Sequence, residues 1–264
     1  LNFLPAPGQG IVTIEARSDD NQIKEIIKIL NCPETTYCAK AERAFNQMLG
    51  GSCELPIAAL AKIDLATGNK VWEASVPERL AIGPGSDGRT TVAVSIKGMV
   101  YAYDDTGKPI WNVSAGSEVL SEPIVAGGVV IVRTLDNRFI GLDAQTGARK
   151  WTYQRQQSAL SLRVGYGMLA IGNEVIVTGF SGGRFGMIAI ANGGLVWETP
   201  VSFPKGFSEI ERLNDVTAKP SMEGDIICAV SYQGRIGCGQ ARTGSLIWFK
   251  DYSSYTGTSQ GKDL

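Results

Sequence analysis

Five copies of one short unit, a Gly placed four residues before a Trp, predict a mainly β chain: a partial β-propeller of about four to five blades, preceded by a small α+β fragment. Two further patterns point the same way. Beyond residue 62 the chain runs in short β-branched segments joined by Gly-rich turns, and before it apolar residues fall at helical spacing.

The repeated unit comes first because it sets the architecture. Thr67-Gly68 precedes Trp72, Thr106-Gly107 precedes Trp111, Thr146-Gly147 precedes Trp151, Asn192-Gly193 precedes Trp197, and Thr243-Gly244 precedes Trp248. The steps from Trp to Trp are 39, 40, 46 and 51 residues, the period of a four-stranded blade whose loops lengthen along the chain. In one unit the strands read as Glu122 to Val125, Val129 to Thr134, Phe139 to Asp143 and Arg149 to Tyr153. Tight turns at Ala126-Gly127-Gly128, Asp136-Asn137 and Thr146-Gly147 join them. Gly supplies positive φ at such turns, and the Trp is expected to pack between successive blades as core rather than as a ligand platform. Lys62 to Ser75 offers only the last two strands of a first blade, so the propeller is expected to be unclosed, with exposed sheet edges.

Before residue 62, Ile11 to Ala16 reads as a strand. A helix follows Asp19-Asp20 with Ile23, Ile26, Ile27 and Leu30 on one face. A second follows Pro33 with Cys38, Ala41, Phe45, Met48 and Leu49, and ends at Gly50-Gly51. Cys53 lies just beyond it, in a Gly-Gly-Ser-Cys loop with little bulk around the thiol.

Composition excludes several chemistries. The chain has no histidine, which removes Ser/His/Asp and Cys/His nucleophile systems and every His-containing zinc site. Basic and acidic residues number 25 and 26, and neither part carries a basic footprint for nucleic acid or anionic lipid. The glycine-rich Ser181 to Gly186 lacks the Lys-Ser/Thr of a phosphate loop and reads as a hairpin turn. Five cysteines with no CxxC pair predict free thiols at all but Cys53. Cys228 and Cys238 flank a hairpin at Gln233-Gly234; pairing Tyr232 with Arg235 puts the two thiols on opposite faces, where they should not bridge. No stretch approaches the ~20 apolar residues of a membrane span. The chain opens on Leu1 without a charged and apolar leader, so as written it is expected to stay in the cytoplasm.

Two resemblances refine this reading. LPAPGQG at Leu4 to Gly10, IVTIEAR with Asp19-Asp20, AERAF at Ala41 to Phe45 and LGGSCELPIAALA resemble, in order, the C-terminal part of the porphobilinogen deaminase (hydroxymethylbilane synthase) family. The resemblance covers residues 1–62 and implies a dipyrromethane cofactor carried through a thioether on Cys53, in a cytosolic enzyme of tetrapyrrole synthesis. That family's catalytic aspartate and most of its substrate-binding arginines lie upstream of LPAPGQG, so no deaminase turnover is expected.

The repeats over 63–264 resemble PQQ-type propellers. SALSLR at Ser158 to Arg163, EIERLNDVTAKP at Glu209 to Pro220 and VSYQG at Val230 to Gly234 resemble the BamB family in particular. This implies a non-catalytic, eight-bladed periplasmic lipoprotein scaffold that binds the barrel-inserting subunit BamA. It also implies a contact surface that includes Leu160, Leu162, Arg163 and Asp215. Read as residues alone, Leu160 and Leu162 also suit a strand core, and Arg163 could pair internally with Asp215. A quinone-dependent dehydrogenase would need a complete ring, a calcium site and, in many members, adjacent cysteines, so no PQQ is expected. The two resemblances imply conflicting compartments, and their junction falls within Ile57 to Leu65.

Overall fold

The chain forms two compact units, Leu1–Ile57 and Ala58–Leu264. The computed structural model describes residues 58–63, 70–80, 82–155, 160–254 and 256–258, so every observation below concerns the second unit. Cys53 and the deaminase-like motifs before Ala58 lie outside the described residues.

Strands β1 (Ala58–Ile63) and β2 (Lys70–Val76) pair antiparallel as a two-stranded sheet. The boundary expected after residue 62 therefore falls inside β1. The first four-stranded blade holds β3 (Gly85–Ser86), β4 (Thr91–Val94), β5 (Met99–Tyr103) and β6 (Pro109–Ser114). The second holds β7 (Ile124–Ala126), β8 (Val129–Arg133), β9 (Arg138–Asp143) and β10 (Arg149–Gln154). The third holds β11 (Met168–Ile171), β12 (Val175–Phe180), β13 (Arg184–Ala189) and β14 (Leu195–Pro200). The fourth holds β15 (Ser221–Glu223), β16 (Ile226–Val230), β17 (Arg235–Gln240) and β18 (Leu246–Asp251). Each blade is an antiparallel meander, so the mainly β propeller read from the repeats is the observed fold.

Alternation along the inner strands builds the core. In β8, Val130 and Val132 enter the cluster shared with the first blade, while Ile131 enters the one shared with the third. In β12, Ile176 points back to the second blade and Val177 forward to the fourth. Side chains that alternate by face make each blade a filling between two neighbours. The outer strands show the opposite pattern and are largely exposed, as in β18.

The three seams between the four-stranded blades repeat one joint. Trp111 Nε1 donates to Ala144 O (3.0 Å), Trp151 Nε1 to Ile190 O (2.8 Å) and Trp197 Nε1 to Ala241 O (2.9 Å), each acceptor lying in the next blade. The same rings lie against Gly147, Gly193 and Gly244 of those blades, where a Cβ would come within 3.0 Å of the ring. All three glycines also have φ near +70°, so chain reversal and ring contact both require Gly there. Gly107 meets Trp72 in the same way, so four of the Gly-to-Trp spacings mark turns that receive the preceding blade's Trp.

One expectation is overturned. Cys228 and Cys238 form a disulfide, with Cα atoms 4.1 Å apart. The hairpin pairs Val230 with Ile236 and Cys228 with Cys238, one residue away from the register expected. Ser231 N donates to Arg235 O (2.9 Å), so the loop is Tyr232-Gln233-Gly234 rather than Gln233-Gly234. Gln233 takes the positive φ of 49°. A one-residue slip exchanges the faces of every side chain, which brings both thiols onto one face.

Candidate partner-binding face

Two long connections meet at one side of the propeller: the segment between β10 and β11, and the segment between β14 and β15. Close backbone approach holds the first in place. A Cβ on Gly165 would strike the Leu120 backbone and one on Gly167 the Lys219 backbone, while Gly167 N donates to Thr217 O (2.8 Å).

Asp215 joins the two connections. It is 1% exposed and accepts from Leu162 N (2.8 Å), Tyr166 OH (2.8 Å) and Gly182 N (3.1 Å). A buried carboxylate with three donors is fully satisfied and fixes the backbone that supplies them. Burial, with the Asp215 charge adding to it, pushes the Tyr166 hydroxyl well above its ordinary pKa, which keeps it a donor.

Beneath Tyr166 lies Arg133, fully buried at the end of β8. It donates to Gly179 O (2.7 Å), Thr178 Oγ1 (2.9 Å) and Asn137 Oδ1 (3.2 Å). Its guanidinium stacks over Tyr166 at 4.0 Å and Phe139 at 4.8 Å. Burial pushes its pKa down to about 9, with the neighbouring Arg155 charge adding to that and Tyr166 and Asp215 opposing it. Rings and carbonyls thus serve an arginine that has no ion pair among the described residues.

The predicted partner residues separate into two groups. Leu160 (41% exposed) and Arg163 face solvent, and Leu162 is half-buried. Arg163 pairs with Glu118 at 2.6 Å, not with Asp215. Asp215 is buried and supports Leu162 from beneath. Sequence reading missed Tyr166, Glu118 and, in the loop beyond β14, the part before Glu209.

That loop carries an ordered turn. Glu211 Oε2 accepts from Phe207 N (2.9 Å) and Ser208 N (3.0 Å), and Ser208 Oγ accepts from Glu211 N (3.2 Å). The reciprocal Ser208/Glu211 pair is a capping box, and Ser-x-x-Glu was the sequence signal for it. Those backbone donors hold the Glu211 carboxyl below its ordinary pKa. With its amide nitrogen toward the loop, Gln233 donates to Leu213 O (3.2 Å) and Ile210 O (3.3 Å), which closes the other end of the turn. A cleft of about 230 Å³ lies between the two connections, lined by Leu160, Pro204, Glu209, Arg212, Asn214 and Asp215, with Gly182 at its wall. Among the described residues no group of three or more Cys, Asp or Glu side chains could hold a metal ion, and no helix is long and apolar enough to cross a membrane.

The family model for the outer membrane protein assembly factor BamB matches residues 58–264. The chain belongs to the BamB family. It is 43% identical over 199 residues to BamB of Burkholderia pseudomallei, covering 75% of this chain and 52% of that protein. It is 41% identical over 203 residues to BamB of Bordetella pertussis, covering 76% and 52%. The chain thus spans about half the length of these curated relatives. The crystal structure of BamB from Moraxella catarrhalis superposes with a TM-score of 0.67 at 27% identity, covering 72% of this chain and 58% of that one. A quinohemoprotein alcohol dehydrogenase from Pseudomonas putida shares the fold alone, at 16% identity and a TM-score of 0.53, covering 67% of this chain and 35% of that one.

Proposed function

We propose that the BamB-like unit is a non-catalytic scaffold of outer-membrane β-barrel assembly. It binds the periplasmic region of a BamA-like subunit through the face built on the Leu160–Arg163 segment. One observation carries the reading: buried Asp215 holds that segment so that Leu160 and Arg163 stand outward, beside the cleft. A rigidly presented Arg beside an apolar neighbour suits an interface hot spot. The Arg163 pair with Glu118 is exposed, so exchanging that partner for a carboxylate on another protein costs little. The Cys228–Cys238 bridge supports an oxidising compartment, in keeping with a periplasmic location.

Biolayer interferometry of the full chain against the purified periplasmic region of its own BamA-like subunit tests the proposal. Arg163→Glu is expected to weaken binding by about ten-fold or more at unchanged thermal stability. Unchanged affinity would remove this face from the interface. For the segment before Ala58, the sequence resemblance supports a dipyrromethane on Cys53. An unmodified intact mass of the purified chain ends that reading.

A further inference from the structure

The loop between β14 and β15 exposes three large apolar side chains within eight residues of one another. Phe203 is 62% exposed, Ile210 68% and Phe207 fully so. The capping box of Ser208 and Glu211, and the Gln233 bonds to the carbonyls of Ile210 and Leu213, define the backbone that presents Phe207 and Ile210. Anchors held in place before contact lose little freedom on binding, which is the condition under which aromatic side chains dominate an interface.

From this we infer that Phe203 and Phe207 are additional docking anchors for the BamA-like subunit and insert into an apolar groove on its periplasmic region. The inference rests on the proposed function and extends that face beyond Leu160 and Arg163. Two features identify the occupant. The loop is continuous with the proposed face, because Pro204, Glu209 and Arg212 line one cleft with Leu160 and Asp215. Its charges cancel as well: Lys205 and Arg212 stand against Glu209 and Glu211, so an anionic lipid surface gains no electrostatic pull on it. At the cleft, Asn214 is 2% exposed and its Oδ1 has no hydrogen-bond partner, which leaves an acceptor at the base of the same site.

The test compares the unaltered chain, the double variant Phe203→Ser/Phe207→Ser, and Arg163→Glu. Each is titrated against the purified periplasmic region and, separately, against vesicles of phosphatidylethanolamine and phosphatidylglycerol. Both phenylalanines are exposed, so the double variant is expected to unfold at the same temperature as the unaltered chain. Its affinity for the periplasmic region is expected to fall by about ten-fold or more. Glu211→Ala keeps both rings but loses the cap, and is expected to weaken binding by a smaller factor. If the double variant binds like the unaltered chain while Arg163→Glu is weakened, the anchor inference fails and the proposed function stands. If the unaltered chain ignores the periplasmic region but binds vesicles through the two phenylalanines, both fail.

Discussion

Trp151 and Trp248 occupy the same place in the repeat and meet different surroundings. Trp151 is 9% exposed, lies against Gly193 and donates to Ile190 O in the following blade. Trp248 is 43% exposed, and its neighbours Ile247 and Phe249 are more so. Identical sequence signals therefore become core or surface according to whether another blade lies over them. The repeat encodes one half of a joint, and its energy is realised only where the other half is present.

Unfolding measurements can break that contrast. Trp151→Ala removes a closed seam and is expected to cost about 3–5 kcal/mol. Trp248→Ala is expected to cost about 1 kcal/mol or less, since little packs on that face. Urea denaturation of both variants reads the difference, and equal losses would mean that β18 is buried in solution.

Next in size is the bridge of the fourth blade. Cys228→Ser/Cys238→Ser is expected to cost about 2–4 kcal/mol in the urea midpoint. Hydrogen exchange should localise the loss to β16 and β17 and leave β8 and β9 protected, because the second blade has no such link. Exchange that rises equally in both blades would show that the propeller unfolds as one unit.

A smaller effect is expected from Tyr166→Phe, which takes one of three donors from Asp215: about 1–2 kcal/mol in stability. Binding to the periplasmic region should weaken with it, because Leu162 is held by the same carboxylate. The smallest effect is a pH dependence. The Glu211 pKa is lowered in the folded chain, so its cap is fully present above the ordinary value of 4.5 and is lost as pH falls through the lower folded value. Amide exchange at Phe207 and Ser208 should quicken across that acidic window, and Glu211→Gln should remove the dependence.

Blade order, strand count and the role of the seam tryptophans were legible because the seam needs Gly and Trp at fixed spacing, and few other residues satisfy it; the exposure of Trp248 was not. The register of the β16–β17 hairpin was not legible from a Gln-Gly turn alone. Its three-residue loop could have been found by aligning Ser95-Ile96-Lys97-Gly98 and Thr134-Leu135-Asp136-Asn137 with Ser231-Tyr232-Gln233-Gly234. In all three the hydroxyl at the loop entrance bonds the backbone where the next strand begins, as Ser95 Oγ does with Met99 N and Ser231 Oγ with Arg235 N. Without that alignment the thiols fall on opposite faces. At the site, the motif around Leu160 to Arg163 was readable, but Asp215 as a buried support was not. Its role depends on Tyr166 and Gly182, which are brought to it only by the packing of separate loops. The exposed phenylalanines escaped notice because an isolated Phe in a sequence reads as core.

The seam also bears on how such a chain grows. A stretch of coding sequence running from one Trp to the next carries both the ring that one blade offers and the glycine turn that receives its predecessor. Copying that stretch inserts a blade whose two sides already match what they meet.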